Sequence, residues 1–148
     1  MLNRKTLGIA AATAMIAPAA VLGLSAASAS AATMPSPPII LAKCSTSTVG
    51  GNVTTCMDWH NSGRHISFID ATATVHHESR TLEVCIFGPH GLLKCNPHGF
   101  VRVKPGEHIT ADWRPNARES AGVYTVETFQ LNSSHRPSRI DVIREHIG

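Results

Sequence analysis

The side chains with the most evident chemistry are the histidines, nine in a chain of 148 residues. Imidazole captures zinc or copper when two or more rings converge within a few ångströms. The spacing offers no ready-made site, since the sequence holds neither H-x-H nor H-E-x-x-H. His76 and His77 are adjacent, so an extended strand sends them to opposite faces. A turn can gather them with Glu78, which makes His76, His77 and Glu78 the candidate metal set. Otherwise no cofactor is expected. His90 and His98 lie beside Pro and Gly, which suits solvated loop residues, and a pH-responsive surface is a third reading.

Enzyme chemistry has less to stand on. There is no G-x-S-x-G and no phosphate-binding loop, and four paired cysteines leave no catalytic thiol. Asp58, Asp70, Glu83 and Asp112 alternate with apolar residues, the pattern of a solvated strand face. Nothing singles out a carboxylate pair for glycoside hydrolysis. The expectation is a non-enzymatic protein without catalytic residues.

The cysteines are the firmest chemical signal. Cys44, Cys56, Cys85 and Cys95 lack the CxxC-like spacing of a zinc site, and an exported chain pairs its thiols. Sequential pairing, Cys44–Cys56 and Cys85–Cys95, closes two short loops. Each closure contributes on the order of 3 kcal/mol by loop entropy.

Local elements must hold these pairs. Arg80 to Cys95 reads as a hairpin with Pro89-His90-Gly91 as a three-residue loop. In that register Gly88 faces Leu92, Phe87 faces Leu93, Ile86 faces Lys94 and Cys85 faces Cys95. Pro89 supplies the first turn φ, and Gly91 takes φ > 0 without steric cost. Gly50-Gly51 marks an earlier hairpin. A two-residue loop there sets Cys56 opposite Ser45, whereas a Val49-Gly50-Gly51 loop sets it opposite Cys44.

The start of the chain reads differently. Arg4 and Lys5 precede an apolar run from Leu7 to Leu24, and small residues through Ala31 suit signal cleavage. This Ala-rich stretch resembles export leaders of high-GC Gram-positive bacteria. Residues 1–31 are expected to be a signal peptide, 32–38 a flexible proline-rich lead-in, and 39–148 one β-domain. Localisation is then extracellular, with no membrane anchor after cleavage. Beyond Ala31, 11 basic and 10 acidic residues leave +1, which offers nucleic acid no electrostatic footprint.

Strand signals follow every 8–12 residues. Ile69, Ala71, Ala73 and Val75 share one face, while Ile66 and Phe68 fall on the other, so a bulge is expected near Phe68. Leu82, Val84 and Ile86 form an inward row. Ile140, Ile143 and Ile147 suit a helix and Ile140 with Val142 a strand; the strand is preferred. The pattern predicts an all-β antiparallel sandwich, or alternatively a small β-barrel.

Val101 to Phe129, VRVKPGEHITADW…AGVYTVETF, resembles the closing half of bacterial extracellular immunoglobulin-like modules, including adhesion-related and fibronectin-III-like sandwiches. The resemblance implies an immunoglobulin-like sandwich with Tyr124 at a tyrosine corner, its hydroxyl bonding backbone upstream. It departs from antibody domains, whose disulfide bridges the two sheets. It implies no ligand.

Binding residues are therefore sought on the surface. Trp59, beside the His60-Asn61-Ser62-Gly63 turn signal, is a candidate aromatic platform for an extracellular protein or polysaccharide. Trp113 shares a face with Ile109 and Ala111 and reads as core. Pro89 and His90 cap a clamped hairpin, preorganised to inhibit a secreted hydrolase. The readings are thus a monomeric extracellular binding or structural protein, a hydrolase inhibitor, or a weak histidine-based metal binder.

Overall fold

The computed structural model describes residues 39–47 and 52–148; the expected leader and lead-in lie outside them. Every regular element among the described residues is a strand. They are β1 (Leu41–Thr46), β2 (Val53–Ser62), β3 (His65–Val75), β4 (Arg80–Gly88) and β5 (Gly91–Cys95). The chain continues through β6 (Val101–Val103), β7 (His108–Trp113), β8 (Ala117–Arg118), β9 (Gly122–Leu131) and β10 (Pro137–Ile147). No helix in this region is long and apolar enough to cross a membrane.

Two antiparallel sheets result. One runs β1-β2-β3-β7 with β8 also on β3, and the other runs β10-β9-β4-β5 with β6 also on β4. They pack face to face as a sandwich and do not close into a barrel, and the chain changes sheet after β3, β6 and β8. Period-two alternation decides what lies between them. Val53, Met57 and Trp59 point inward from β2, Leu82, Val84 and Ile86 from β4, and Tyr124 and Val126 from β9. The tail is a strand, and Ile140, Ile143 and Ile147 are all buried.

Irregularities keep that alternation in phase. His60 pairs with Phe68 and Asn61 with Ile66, which leaves Ser67 as the extra residue of a bulge. Ile66 and Ile69 can then both face the core while Phe68 stays outside. Asn96 bridges the gap between β5 and β6, both of which lie on the same side of β4. Its backbone N–H donates to the Val84 carbonyl (3.0 Å), and its Oδ1 accepts from the Val84 N–H (2.8 Å). The Asn96 amide also donates to the Gly99 carbonyl at 2.7 Å. A side chain thus continues the ladder where the backbone turns away.

Both disulfides are sequential. Cys44 faces Cys56 and Cys85 faces Cys95, with Cα–Cα distances of 4.1 and 4.0 Å. The Cys44 register is the one that a Val49-Gly50-Gly51 loop demands, although residues 48–51 lie outside the described chain. The second hairpin differs from expectation at its tip. Gly88 pairs with Gly91 and Phe87 with Leu92, so the turn is Pro89-His90 alone, and a bulge at Leu93 restores Cys85 to Cys95. The cause is packing: the bulge turns Leu93 against the core and over the bare α-carbon of Gly88, while Leu92 stays outside.

One polar contact lies deep between the sheets and another at the edge of the core. Thr55 and Thr128 are fully buried on opposite sheets, and their hydroxyls meet at 2.7 Å. The Tyr124 hydroxyl donates to the Ser120 carbonyl, four residues upstream, at 2.8 Å, and its ring stacks on Trp113. Burial pushes the Tyr124 phenol above its ordinary value; Glu119 adds to this and Arg64 opposes it.

Thr55→Val alone is expected to cost about 1–3 kcal/mol, because it strands a buried hydroxyl, whereas Thr55→Val with Thr128→Val should be close to neutral. Denaturant unfolding of the two single variants and the double variant measures this; equal costs that add would disprove the pairing. Tyr124 is the only tyrosine, so absorbance titration reads it directly and should place its ionisation above about 10. The folded state holds that proton more tightly than the unfolded chain. Stability from this group is therefore present at neutral pH and declines as pH rises past the unfolded value through the raised one. Tyr124→Phe should flatten this alkaline decline and cost about 1 kcal/mol at neutral pH.

Candidate functional site

Phenylalanine ordinarily serves a core, yet Phe68, Phe87, Phe100 and Phe129, the chain's four, are all only half-buried. Alternation accounts for this. With Leu82, Val84 and Ile86 inward, β4 turns Glu83, Cys85 and Phe87 outward; with Tyr124, Val126 and Thr128 inward, β9 turns out Glu127 and Phe129. The β4–β9 register sets Glu83 directly opposite Phe129. The rings of Phe87 and Phe129 meet edge to face with centroids 6.4 Å apart. Phe100, which follows the Asn96 turn, adds a third ring.

These rings, with Leu92, Pro137 and the Cys85–Cys95 bond, line a cavity of about 320 Å³ on the outer face of the sheet. Glu83 is the single charged residue in the lining. A carboxylate oxygen of Glu83 and the two sulfurs all lie within 4.8 Å of one another. That grouping is no metal site, because sulfurs joined in a disulfide offer no thiolate. Glu83 has no hydrogen-bond or ion-pair partner among the described residues. Nearby Glu127 is already engaged, by Arg139 Nη1 at 3.1 and 3.2 Å. A larger hollow of about 450 Å³ lies beside the β2–β3 turn, lined by Ser62, Gly63, Arg64, His65, Arg118 and Gly148. Its only ring is the His65 imidazole, against three phenylalanines in the smaller cavity, so the smaller cavity is the better ligand site on chemical grounds.

The residues singled out from the sequence are distributed differently. Trp59 is 6% exposed and belongs to the core, which corrects its reading as a platform. The reason is length: β2 runs on to Ser62, so the turn begins later and Trp59 falls on the inward phase. Trp113 packs against the core as expected. Pro89 and His90 are exposed, but the tip is braced. A Cβ on Gly122 would lie 2.6 Å from Pro89 Cγ, and His90 Nε2 meets Ser120 Oγ at 3.0 Å. His90 and Ser120 have the contact of a base and a nucleophile, but no carboxylate is bonded to the other ring nitrogen among the described residues.

His76, His77 and Glu78 occupy the loop between β3 and β4. His76 Nε2 lies 2.8 Å from Thr54 Oγ1, and Glu78 accepts from Arg80 at 3.2 Å. Their ligand atoms do not converge as a group of three, since among the described residues only Glu83, Cys85 and Cys95 do so.

The opposite outer face carries a second arrangement invisible in the sequence. Asp58, Asp70 and Asp112 stand directly opposite one another across β2, β3 and β7. Arg114 grips Asp70 at 2.7 Å and lies 5.1 Å over the Phe68 ring, which stacks on His60. Burial raises the Asp70 pKa; Arg114 opposes this, while Asp112 and Asp58 add to it. No protein-family model matches the chain, and no curated protein matches it either.

Asp112→Asn is expected to lower the Asp70 pKa and to raise stability at neutral pH by about 0.5 kcal/mol, because like charges directly opposite repel. The sign follows from linkage: Asp70 favours the folded state below its unfolded pKa, and that contribution is lost as pH rises through the raised value. Carboxyl NMR titration together with thermal melts tests this. An unmoved Asp70 would show that the row does not couple.

Proposed function

We propose that the chain is a secreted, non-enzymatic, immunoglobulin-like binding module whose ligand seats in the aromatic cavity on the outer face of β9, β4 and β5. The observation that carries this is the convergence of Phe87, Phe100 and Phe129 around one carboxylate outside the core. Leu92 beside them is 59% exposed. Fully burying such side chains would contribute about 1.5–3 kcal/mol each. Contiguous apolar surface with a polar rim suits recognition better than stability.

The immunoglobulin-like reading is supported by strand order. β2-β3-β7 opposite β10-β9-β4-β5 corresponds to strands A-B-E opposite G-F-C-C′ of such domains, and Tyr124 makes the corner contact near the start of the F-like strand. Secretion is supported by the basic and apolar opening of the sequence, and by two disulfides that suit an oxidising compartment. Binding rather than catalysis is supported by the cavity lining, which holds one carboxylate and neither hydroxyl nor imidazole. Inhibition of a hydrolase is the alternative reading, since Pro89 and His90 are exposed and their brace against the Ser120–Gly122 loop would preorganise the tip.

Nile red, a neutral apolar dye, is expected to brighten on the protein. Phe87→Ser with Phe129→Ser should remove that response while circular dichroism and melting keep a folded sandwich. A double variant that stays folded and binds the dye as before would refute the site.

A further inference from the structure

We infer that the cavity takes a small organic cation of the alkyl- or quaternary-ammonium class, with Glu83 as its counter-ion. The inference rests on the binding reading above and specifies its ligand. Three observations carry it. First, three phenylalanine rings, Phe87, Phe100 and Phe129, line the cavity, and such rings attract a cation through their negative π-faces. Second, Glu83 is the lining's one charge and has no partner of its own among the described residues. On this face Arg139, across from Phe129, is committed to Glu127, and Arg102, opposite Thr81 on β6, is exposed and makes no ion pair with Glu83 among the described residues. Third, Oε1 of Glu83 lies 3.5 Å from where a Cβ on Gly99 would stand, an ordinary contact distance, which places the carboxylate beside the residue that precedes the Phe100 ring.

The chemistry of the lining selects among cations. A hydrated metal ion needs several oxygen ligands, and this lining supplies a single carboxylate. An ammonium bearing methyl or methylene groups is weakly hydrated and uses both kinds of wall, the charge against Glu83 and the carbons against phenylalanine. At about 320 Å³ the cavity is at the small end of ligand clefts, which fits a free small molecule.

The test compares choline with its neutral isostere 3,3-dimethylbutan-1-ol at matched ionic strength, by amide-shift titration of the full chain. Choline is expected to perturb Glu83, Phe87 and Phe129 and to bind about tenfold more tightly than the isostere. Glu83→Gln should weaken choline by about the same factor and bring its affinity down to that of the isostere. Equal binding of the two probes, or indifference to Glu83→Gln, overturns the cation assignment while the apolar site stands. Failure of choline, isostere and dye alike overturns both readings.

Discussion

The covalent bond between Cys85 and Cys95 fixes the phase of β4, and β4 is the strand on which both the interior and the surface cavity depend. It is paired along both edges, with β9 on one side and with β5 and then β6 on the other. A slip of one residue would turn Leu82, Val84 and Ile86 to solvent and drive Glu83 and Phe87 inward. Core and cavity are therefore two faces of one register. The sulfur atoms add a covalent lock to a register that the two-residue turn, the packing of Leu93 and the buried face of β4 already specify.

Polar contacts do comparable work inside. The Thr55–Thr128 contact ties one sheet to the other at a depth where an unmatched hydroxyl is expensive, so sliding one sheet over the other is disfavoured. Asn96 acts within a sheet, standing in for the missing stretch of ladder between β5 and β6. Tyr124 joins the core to the loop that braces the hairpin tip, because Ser120 accepts its hydroxyl and meets His90 with its side chain. The tip, the corner and the core are thus mechanically continuous.

Much of this architecture was legible from residue order. Alternation and turn residues indicated strands, and the cysteine spacing fitted two local staples, because each depends on neighbours a dozen residues apart or fewer. The bulge at Leu93 was not legible, since it answers to Gly88 and Tyr124 rather than to the turn. The cavity is silent in the residue order for a related reason. Phe87, Phe100 and Phe129 come from separate segments, and only the β4–β9 pairing brings two of them together. The aspartate row needs three strands in register and is equally silent in the chain. Trp59 lies inward because β2 runs on through the His60-Asn61-Ser62 turn signal. Nothing in the spacing of His76, His77 and Glu78 could say that the first would turn to Thr54 and the last to Arg80.

The first strand has an unusual attachment. No residue of β1 is buried. It is held by its pairing with β2, by the Cys44–Cys56 bond, and by reach-over contacts to β10, from Ser45 to Asp141 at 2.6 Å and from Lys43 to the Arg144 carbonyl at 3.1 Å. Without the sulfur link, little apolar burial opposes its peeling away. The ten-residue flank of β2 would then lie open as a template for another chain. In a reducing milieu the danger is consequently fibrillar self-assembly or strand exchange rather than simple melting, and this bond is the latch against it.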